Sequence, residues 1–140
     1  MSEAALRRHA GACHCGAVRF EIEAPAAVTV LECNCSICAR TGYLHLIVPA
    51  ARFHLLAGEE ALRDYRFGTG RARHRFCGIC GIKAFYVPRS HPDAFSVNLR
   101  CVDRDGFDAV TIAPFDGRNW EAAHAAGQHR AGDGRTRASE

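Results

Sequence analysis

Seven of the eight cysteines of this 140-residue chain lie in three short clusters, at positions 13–15, 33–38 and 77–80. Their spacings are C-x-C, C-x-C-x-x-C and C-x-x-C, which bring several sulfur atoms within reach of one ion. Thiolate is a preferred ligand of zinc. Four sulfurs complete one tetrahedral site, whereas three leave a second site with an open position, the usual arrangement of a catalytic zinc. The cysteines therefore predict two zinc sites per chain, one of them with room for an outside ligand.

The first and third clusters together offer four sulfurs. In an extended C-x-C segment, Cys13 and Cys15 point to one side and His14 to the other, so we expect His14 not to be a ligand. Glycines beside Cys77 and Cys80 allow the tight turn in which backbone N–H groups approach sulfur. A site closed by four thiolates is structural, and such binding contributes on the order of 10 kcal/mol to folding. Spacing alone leaves the pairing open, since the C-x-C pair at positions 33 and 35 could equally join the third cluster.

The second cluster places three sulfurs, those of Cys33, Cys35 and Cys38, on one loop. These three can hold a zinc ion and leave its fourth position for water, a substrate or another protein ligand. The alternative is that a histidine closes this site, which would make both zinc sites structural. The candidate histidines are His45, His54, His74 and His91.

Composition and charge are ordinary for a soluble domain, with 48% hydrophobic and 24% charged residues. The apolar stretches are far shorter than a membrane span. The net charge of +3 comes from basic residues dispersed among 15 acids, so we predict neither a nucleic-acid nor a membrane partner. Residues 1–12 lack the apolar centre of a secretory signal, which predicts a cytoplasmic protein. Clustered cysteines in the reducing cytosol are typical of metal ligands or catalytic groups.

The elements that must position these cysteines are mostly strands. Val18, Phe20 and Ile22 alternate with polar residues, and the pattern recurs from Phe95 to Cys101. This parity predicts that Cys101, the eighth cysteine, packs in the core. Further strand candidates, rich in β-branched and aromatic residues, are 28–31, 44–48, 52–56, 63–67, 84–87 and 110–113. Helical signal is limited to 36–40 and 121–126, so we predict a mainly β fold of antiparallel sheets.

The length predicts one domain, which we assign to residues 9–126. Residues 1–8 are expected to form an N-terminal tail, and residues 127–140, nearly without apolar side chains, a disordered C-terminal tail. The polar turn at 116–120 carries the only tryptophan and either covers the second cluster or caps a sheet. Four aromatic residues either line a cleft or, as strand parity favours, pack in the core: Tyr43, Phe67, Phe85 and Phe115.

The cysteine clusters stand in a wider pattern that extends from position 11 to position 120. It comprises G-x-C-H-C-G-x-V-x-F at 11–20, C-N-C-S-I-C at 33–38 with Gly42, F-C-x-x-C-G at 76–81, V-N-L-R-C at 97–101 and D-G-R-N-W at 116–120. This pattern resembles the glutathione-dependent formaldehyde-activating enzyme family, to which centromere protein V also belongs. The resemblance implies coiled antiparallel β-sheets stapled by zinc, similar to methionine sulfoxide reductase B and a Rab-accessory zinc protein.

The resemblance also implies a division of the cysteines. Cys13, Cys15, Cys77 and Cys80 match the ligands of a structural zinc, and Cys33, Cys35 and Cys38 match those of a catalytic zinc. The founding activity joins glutathione and formaldehyde to S-(hydroxymethyl)glutathione and is classed, in reverse, as a carbon–sulfur lyase. The implied partners are thus a small thiol such as glutathione and a small aldehyde. The alternative is a non-catalytic, zinc-stapled module that binds a protein. No proton donor is evident from the sequence.

Overall fold

The structure is a computed structural model that describes residues 5–70, 72–88 and 91–129. Within these residues the fold is mainly β, as predicted, with ten strands in three sheets and two short α-helices. The strands are β1 (Leu6–Ala12), β2 (Arg19–Pro25), β3 (Ala27–Cys33), β4 (Leu44–Pro49), β5 (Phe53–Ala57), β6 (Leu62–Tyr65), β7 (His74–Cys77), β8 (Phe85–Tyr86), β9 (Ala94–Asn98) and β10 (Ala109–Phe115). The helices are α1 (Ser36–Thr41) and α2 (Trp120–Ala125).

The first sheet has the order β1-β2-β5 and is antiparallel throughout. Phe20, Ile22 and Ala24 of β2 are buried, which confirms the predicted alternation. Strand β1 begins at Leu6, so positions 6–8, which we expected in an N-terminal tail, pair with β2 instead. Only His9 of this edge strand is buried, and its sequence therefore lacks the alternation that identifies a strand.

The second sheet has the order β10-β3-β4-β9-β8 and contributes more residues to the main core cluster than either other sheet. Its pairs are antiparallel except for β3 and β10, which run parallel in register from Ala27 and Ala109 onwards. The central strand β4 is buried on both faces, which explains its uninterrupted apolar sequence. Strand β9 ends at Asn98, earlier than the alternation suggested, and 99–101 form a 3₁₀ turn. Cys101 still packs, half-buried, against the core.

The third sheet pairs β6 with β7. Cys77, the last residue of β7, lies close to Cys15, which follows the first strand of the first sheet. The sequence did not predict β7, because its residues H-R-F-C show no clear alternation. Helix α1 begins after Cys35, whose sulfur accepts the Cys38 N–H at 3.4 Å, and ends at Gly42 with φ of 67°. No helix in the described part of the chain is long and apolar enough to cross a membrane.

The described chain remains packed for three residues beyond position 126. The Asp116 N–H donates to Gln128 Oε1 at 2.8 Å, and the His129 ring stacks on His124 with centroids 3.9 Å apart. The predicted disordered tail thus begins with residues that contact the domain, while its remainder, 130–140, lies outside the described residues.

Candidate functional site

The first group of cysteines joins the end of β1 to the end of β7. The sulfurs of Cys13, Cys15, Cys77 and Cys80 all lie within 4.8 Å of one another, an arrangement that could hold a metal ion. Cys13 and Cys15 are 3.6 Å apart, and Cys15 and Cys77 are 3.8 Å apart. His14 is exposed and is not a member of this group, as the C-x-C geometry predicted. We call these residues the four-cysteine group.

Backbone N–H groups donate hydrogen bonds to the sulfurs of the four-cysteine group. The Val18 N–H donates to Cys13 Sγ at 3.3 Å, and the Ile79 N–H donates to Cys77 Sγ at 3.4 Å. The Cys15 N–H lowers the pKa of Cys80 to about 6, because a hydrogen bond to sulfur favours the thiolate. The turn closes through Gly81, whose φ is 82° and whose N–H donates to Cys77 O at 2.8 Å. This left-handed conformation favours glycine.

The second group lies where β3 passes into α1. The sulfurs of Cys33, Cys35 and Cys38 lie within 4.8 Å of one another and could also hold a metal ion. We call them the three-cysteine group. Its members come from the last residue of β3, the residue that caps α1, and the first turn of α1. One continuous loop therefore brings all three sulfurs together, as their spacing predicted.

Hydrogen bonding among these three closely spaced thiols drives their pKa values apart. Hydrogen bonds from Cys33 and Cys38 lower the pKa of Cys35. Hydrogen bonding to Cys35 in turn raises the pKa of Cys33 to about 11, and hydrogen bonding to Cys33 and Cys35 raises that of Cys38. Three adjacent thiolates require a cation among them, because like charges disfavour each other's ionisation. A sulfur-preferring divalent metal therefore fits this donor set.

The turn at 116–120 covers the three-cysteine group. Of the two roles predicted for this turn, covering the second cluster or capping a sheet, the structure shows the first. Asn34 Nδ2 donates to Asp116 Oδ1 at 2.9 Å, and the Arg118 N–H donates to Asn34 Oδ1 at 3.0 Å. Between them, the backbone of Gly117 presses on the cysteines. A Cβ at this position would overlap the sulfur of Cys33 and lie 2.8 Å from Cys35 Cβ. The turn thus holds the loop closely from one side.

A cavity of about 280 Å³ opens beside the three-cysteine group, whose residues form one of its walls. The other walls are largely apolar and include the side chains of Phe67, Phe115 and Trp120. Of the four aromatic candidates, Phe67 and Phe115 therefore line a cleft. The other two lie in the core, where Tyr43 and Phe85 are each 1% exposed.

Two of the four candidate histidines lie at this site. His45 Nε2 is 3.2 Å from Cys38 Sγ, although His45 is not within the mutual 4.8 Å of the three-cysteine group. Its Nδ1 is 2.8 Å from Ser96 Oγ and 3.3 Å from the Tyr86 hydroxyl. Burial lowers the pKa of His45 to about 3, so the ring is neutral. Because two hydroxyls meet Nδ1, we infer that this nitrogen accepts and that Nε2 donates to the Cys38 sulfur.

Of the other three candidate histidines, His74 is the second one at this site. His74 lines the cavity. His54 lies on the surface, 3.6 Å from the carboxylate of Glu23. His91 is buried, with its ring centroid 5.5 Å from that of His129.

A buried lysine behind the cavity was missed by reasoning from motifs. Lys83 is only 7% exposed, and its Nζ lies 2.7 Å from His74 Nδ1. It also lies 4.0 Å from the centre of the Tyr86 ring, which stabilises an ammonium through a cation–π contact. Burial lowers the pKa of Lys83 to about 8. The available signal was compositional, since Lys83 is the single lysine among 18 basic residues.

Comparisons with known proteins place this architecture in a family. The model of the family described as glutathione-dependent formaldehyde-activating enzyme matches residues 8–115. A Halomonas elongata protein named putative glutathione-dependent formaldehyde-activating enzyme is 28% identical over 103 residues, which are 68% of this chain and 66% of that protein. The chain therefore spans about two thirds of that relative's length.

A crystal structure of a Rhodobacter sphaeroides protein superposes with a TM-score of 0.63 at 35% identity, covering 73% of this chain and 99% of that one. The family match extends over more than half of the chain and confirms the resemblance seen in the cysteine pattern. The chain thus belongs to the glutathione-dependent formaldehyde-activating enzyme family.

Proposed function

We propose that this chain is a zinc-dependent carbon–sulfur lyase that joins a small thiol to a small aldehyde and splits the adduct. The observation that carries this proposal is the cavity of about 280 Å³ with three cysteines in its wall. The family description and the name of the Halomonas relative favour glutathione as the thiol and formaldehyde as the aldehyde. In this proposal Cys33, Cys35 and Cys38 hold the catalytic zinc, and the four-cysteine group holds a structural zinc.

Zinc held by Cys33, Cys35 and Cys38 would supply a Lewis acid that lowers the pKa of an incoming thiol. The protein positions the donors. The Cys38 N–H donates to Cys35 Sγ at 3.4 Å, His45 donates to Cys38, and Gly117 packs on Cys33. Holding thiol and aldehyde side by side in the cavity removes much of the entropic barrier to their reaction. The thiol sulfur bonds to the carbonyl carbon, and the oxygen receives the carbonyl π electrons and a proton.

Exposed arginines around the cysteine loop favour a thiol that carries carboxylates, as glutathione does. Arg40 donates to Ser36 O at 3.0 Å, Arg100 to Gly42 O at 2.8 Å, and Arg118 to Asn34 O at 3.2 Å. Each of these bonds uses one of five N–H donors, and the guanidinium can bind a carboxylate with others. We infer that the reacting end of the thiol enters the cavity while its carboxylates meet this basic rim.

The central experiment measures adduct formation by exchange NMR with ¹³C-labelled formaldehyde and glutathione, at a zinc content verified by native mass spectrometry. We expect two zinc ions per chain and exchange faster than in buffer alone. We also expect glutathione to raise the melting temperature, because a ligand that binds only the folded state stabilises it. Exchange at the background rate with every small thiol tested would contradict the proposed reaction.

The contact between His45 and Cys38 gives the non-catalytic alternative its one specific support. If His45 closes the three-cysteine group, the protein is a zinc-stapled module for a protein partner. In that case glutathione would leave the melting temperature unchanged, and His45→Ala would release one zinc ion. Under the catalytic proposal, His45→Ala retains both zinc ions, because the three cysteines would hold the ion and His45 hydrogen-bonds to the Cys38 sulfur.

A further inference from the structure

Lys83 stands out as a buried cation behind a largely apolar cavity. An ammonium is expensive to bury, and a lysine is rarely enclosed without a specific partner. Elsewhere the chain uses arginine for its basic side chains, 17 times in all against this one lysine. Arginine is effectively always protonated, whereas lysine can lose its proton when buried. The residue at position 83 is therefore the one basic side chain of the Lys/Arg type that can exchange a proton near neutral pH.

The side chain of Lys83 connects to the cavity through His74. Lys83 Nζ lies 2.7 Å from His74 Nδ1, and His74 forms part of the cavity wall. An ammonium has only donors, so Nδ1 accepts from Lys83 and Nε2 carries the ring proton. Lys83 itself is not among the residues that line the cavity, so it can act on a bound molecule only through His74.

We propose that Lys83 and His74 form a proton relay that serves the oxygen of the thiol–aldehyde adduct in this cavity. The inference rests on the proposed carbon–sulfur lyase activity. During addition, the thiol releases its proton to solvent on binding, and its sulfur forms the bond to the carbonyl carbon. The oxygen takes a proton from His74 Nε2, and His74 Nδ1 takes one from Lys83. His74 Nε2 then takes a proton from solvent in the cavity, and Nδ1 returns its proton to Lys83, which restores both groups. Splitting of the adduct runs the same transfers in reverse.

The surroundings of Lys83 and His74 favour a lysine that can give up its proton and a neutral histidine that can accept it. Burial lowers the pKa of Lys83 to about 8, while the thiols of the three-cysteine group oppose this shift. Burial and the Lys83 charge lower the pKa of His74 to about 4, so the ring is neutral when it accepts. The aromatic and titratable groups that face the pair are Tyr43, Phe67, Tyr86, His45 and the three cysteines.

The single lysine makes a direct test possible. Protein labelled with ¹³C-lysine has one Cε signal, which we expect to titrate near pH 8 instead of the usual value of about 10.4. Nitrogen-15 spectra of the histidines should show the Nε2–H tautomer for His74 in the wild type and a change for Lys83→Met. Titration of Lys83 near its usual pKa, or the Nδ1–H tautomer for His74, would overturn the relay. These readouts do not depend on activity.

The kinetic test compares Lys83→Met and His74→Gln with His54→Gln, a surface histidine variant that serves as the matched control. For the wild type, the rate of addition over background should fall as the pH rises through about 8, because neutral Lys83 has no proton to give. Both relay variants should lose this fall in rate above about pH 8, and their kcat should be lower by about 100-fold or more. Their KM for the thiol and their metal content should be unchanged, and His54→Gln should behave as the wild type.

The outcomes separate the relay from the reaction that it serves. If the wild type does not accelerate exchange at all, the proposed function is wrong and the relay has no reaction to serve. If the wild type accelerates exchange and Lys83→Met keeps the same fall in rate with pH, only the relay is wrong. A Lys83→Met protein that loses metal but keeps its kcat per bound zinc would also overturn the relay, since Lys83 would then only balance charge.

Discussion

The two cysteine groups of this protein use the same donor atom in different structural settings. The four-cysteine group joins residues more than 60 positions apart, at the ends of β1 and β7, and its members do not line the cavity described here. The three-cysteine group comes from a single loop and forms a cavity wall. A metal in the first group would crosslink distant strands, whereas a metal in the second would be held by neighbours in sequence. We therefore expect the first to matter for folding and the second for chemistry.

The surroundings of the two groups support the same distinction. Backbone N–H groups of Val18 and Ile79 point at sulfurs of the four-cysteine group. The three-cysteine group has His45 and the Gly117 turn next to it, and it shares its cavity with His74, which contacts Lys83. Buried titratable side chains thus gather around the three-cysteine group, and such gathering is typical of functional sites.

The largest effect is expected for Cys77→Ser. Cys77 is 1% exposed, and losing a structural zinc would remove on the order of 10 kcal/mol. This is comparable with the whole stability of a domain of about 5–15 kcal/mol, so the variant should be unfolded at 25 °C by circular dichroism. Cys101→Ser, in neither group, is the matched control and should fold. A cooperative melt of Cys77→Ser near the wild-type temperature would remove the distinction between the groups.

The second-largest effect is expected for Cys35→Ser, which should abolish activity without unfolding the protein. The loop stays anchored through β3 and α1, so the variant should fold, bind one zinc ion instead of two, and exchange the adduct only at the background rate. Native mass spectrometry, thermal melting and exchange NMR measure these three properties. If Cys35→Ser unfolds as Cys77→Ser does, both groups are structural.

Gly117→Ala should have an intermediate effect, confined to the three-cysteine group. The added methyl overlaps the Cys33 sulfur, which should displace the loop, cost about 1–3 kcal/mol and reduce activity about 10-fold or more. Asn119→Ala, in the same turn, removes a 3.0 Å bond to Asp116 without pressing on a cysteine. This control should retain its activity. Equal activities of the two variants would show that contact with the turn is unimportant.

The smallest effect concerns the basic rim of the three-cysteine group. Arg100→Gln and Arg118→Gln should each raise KM for glutathione by up to about fivefold, because an exposed ion pair contributes about 1 kcal/mol or less. KM for 2-mercaptoethanol, which has no carboxylate, should not change. Arg8→Gln, whose native partner is Glu21 at 2.9 Å, controls for loss of surface charge. Equal changes for both thiols would contradict recognition of carboxylates.

Much of this fold follows from local sequence patterns. The alternation at Val18–Ile22, the apolar run of β4 and the short helical runs were all read correctly, because side-chain burial repeats with the period of the local structure. Strands β1 and β7 were not predicted, since neither has an alternating apolar face. The parallel pairing of β3 with β10 was also not predicted, because it joins segments about 80 residues apart and has no local signal in the sequence.

At the site, the sequence by itself determined which atoms are available. Three sulfurs within six residues must lie close together on any compact loop, so the three-cysteine group was predictable from its spacing. Only the tertiary structure decided what surrounds it. Strand pairing and packing over long chain separations bring Gly117 onto this loop, His74 into the cavity wall and Lys83 against His74, and spacing does not encode these contacts. Local geometry therefore set the donor atoms, and long-range packing set the cavity, its cover and the buried lysine.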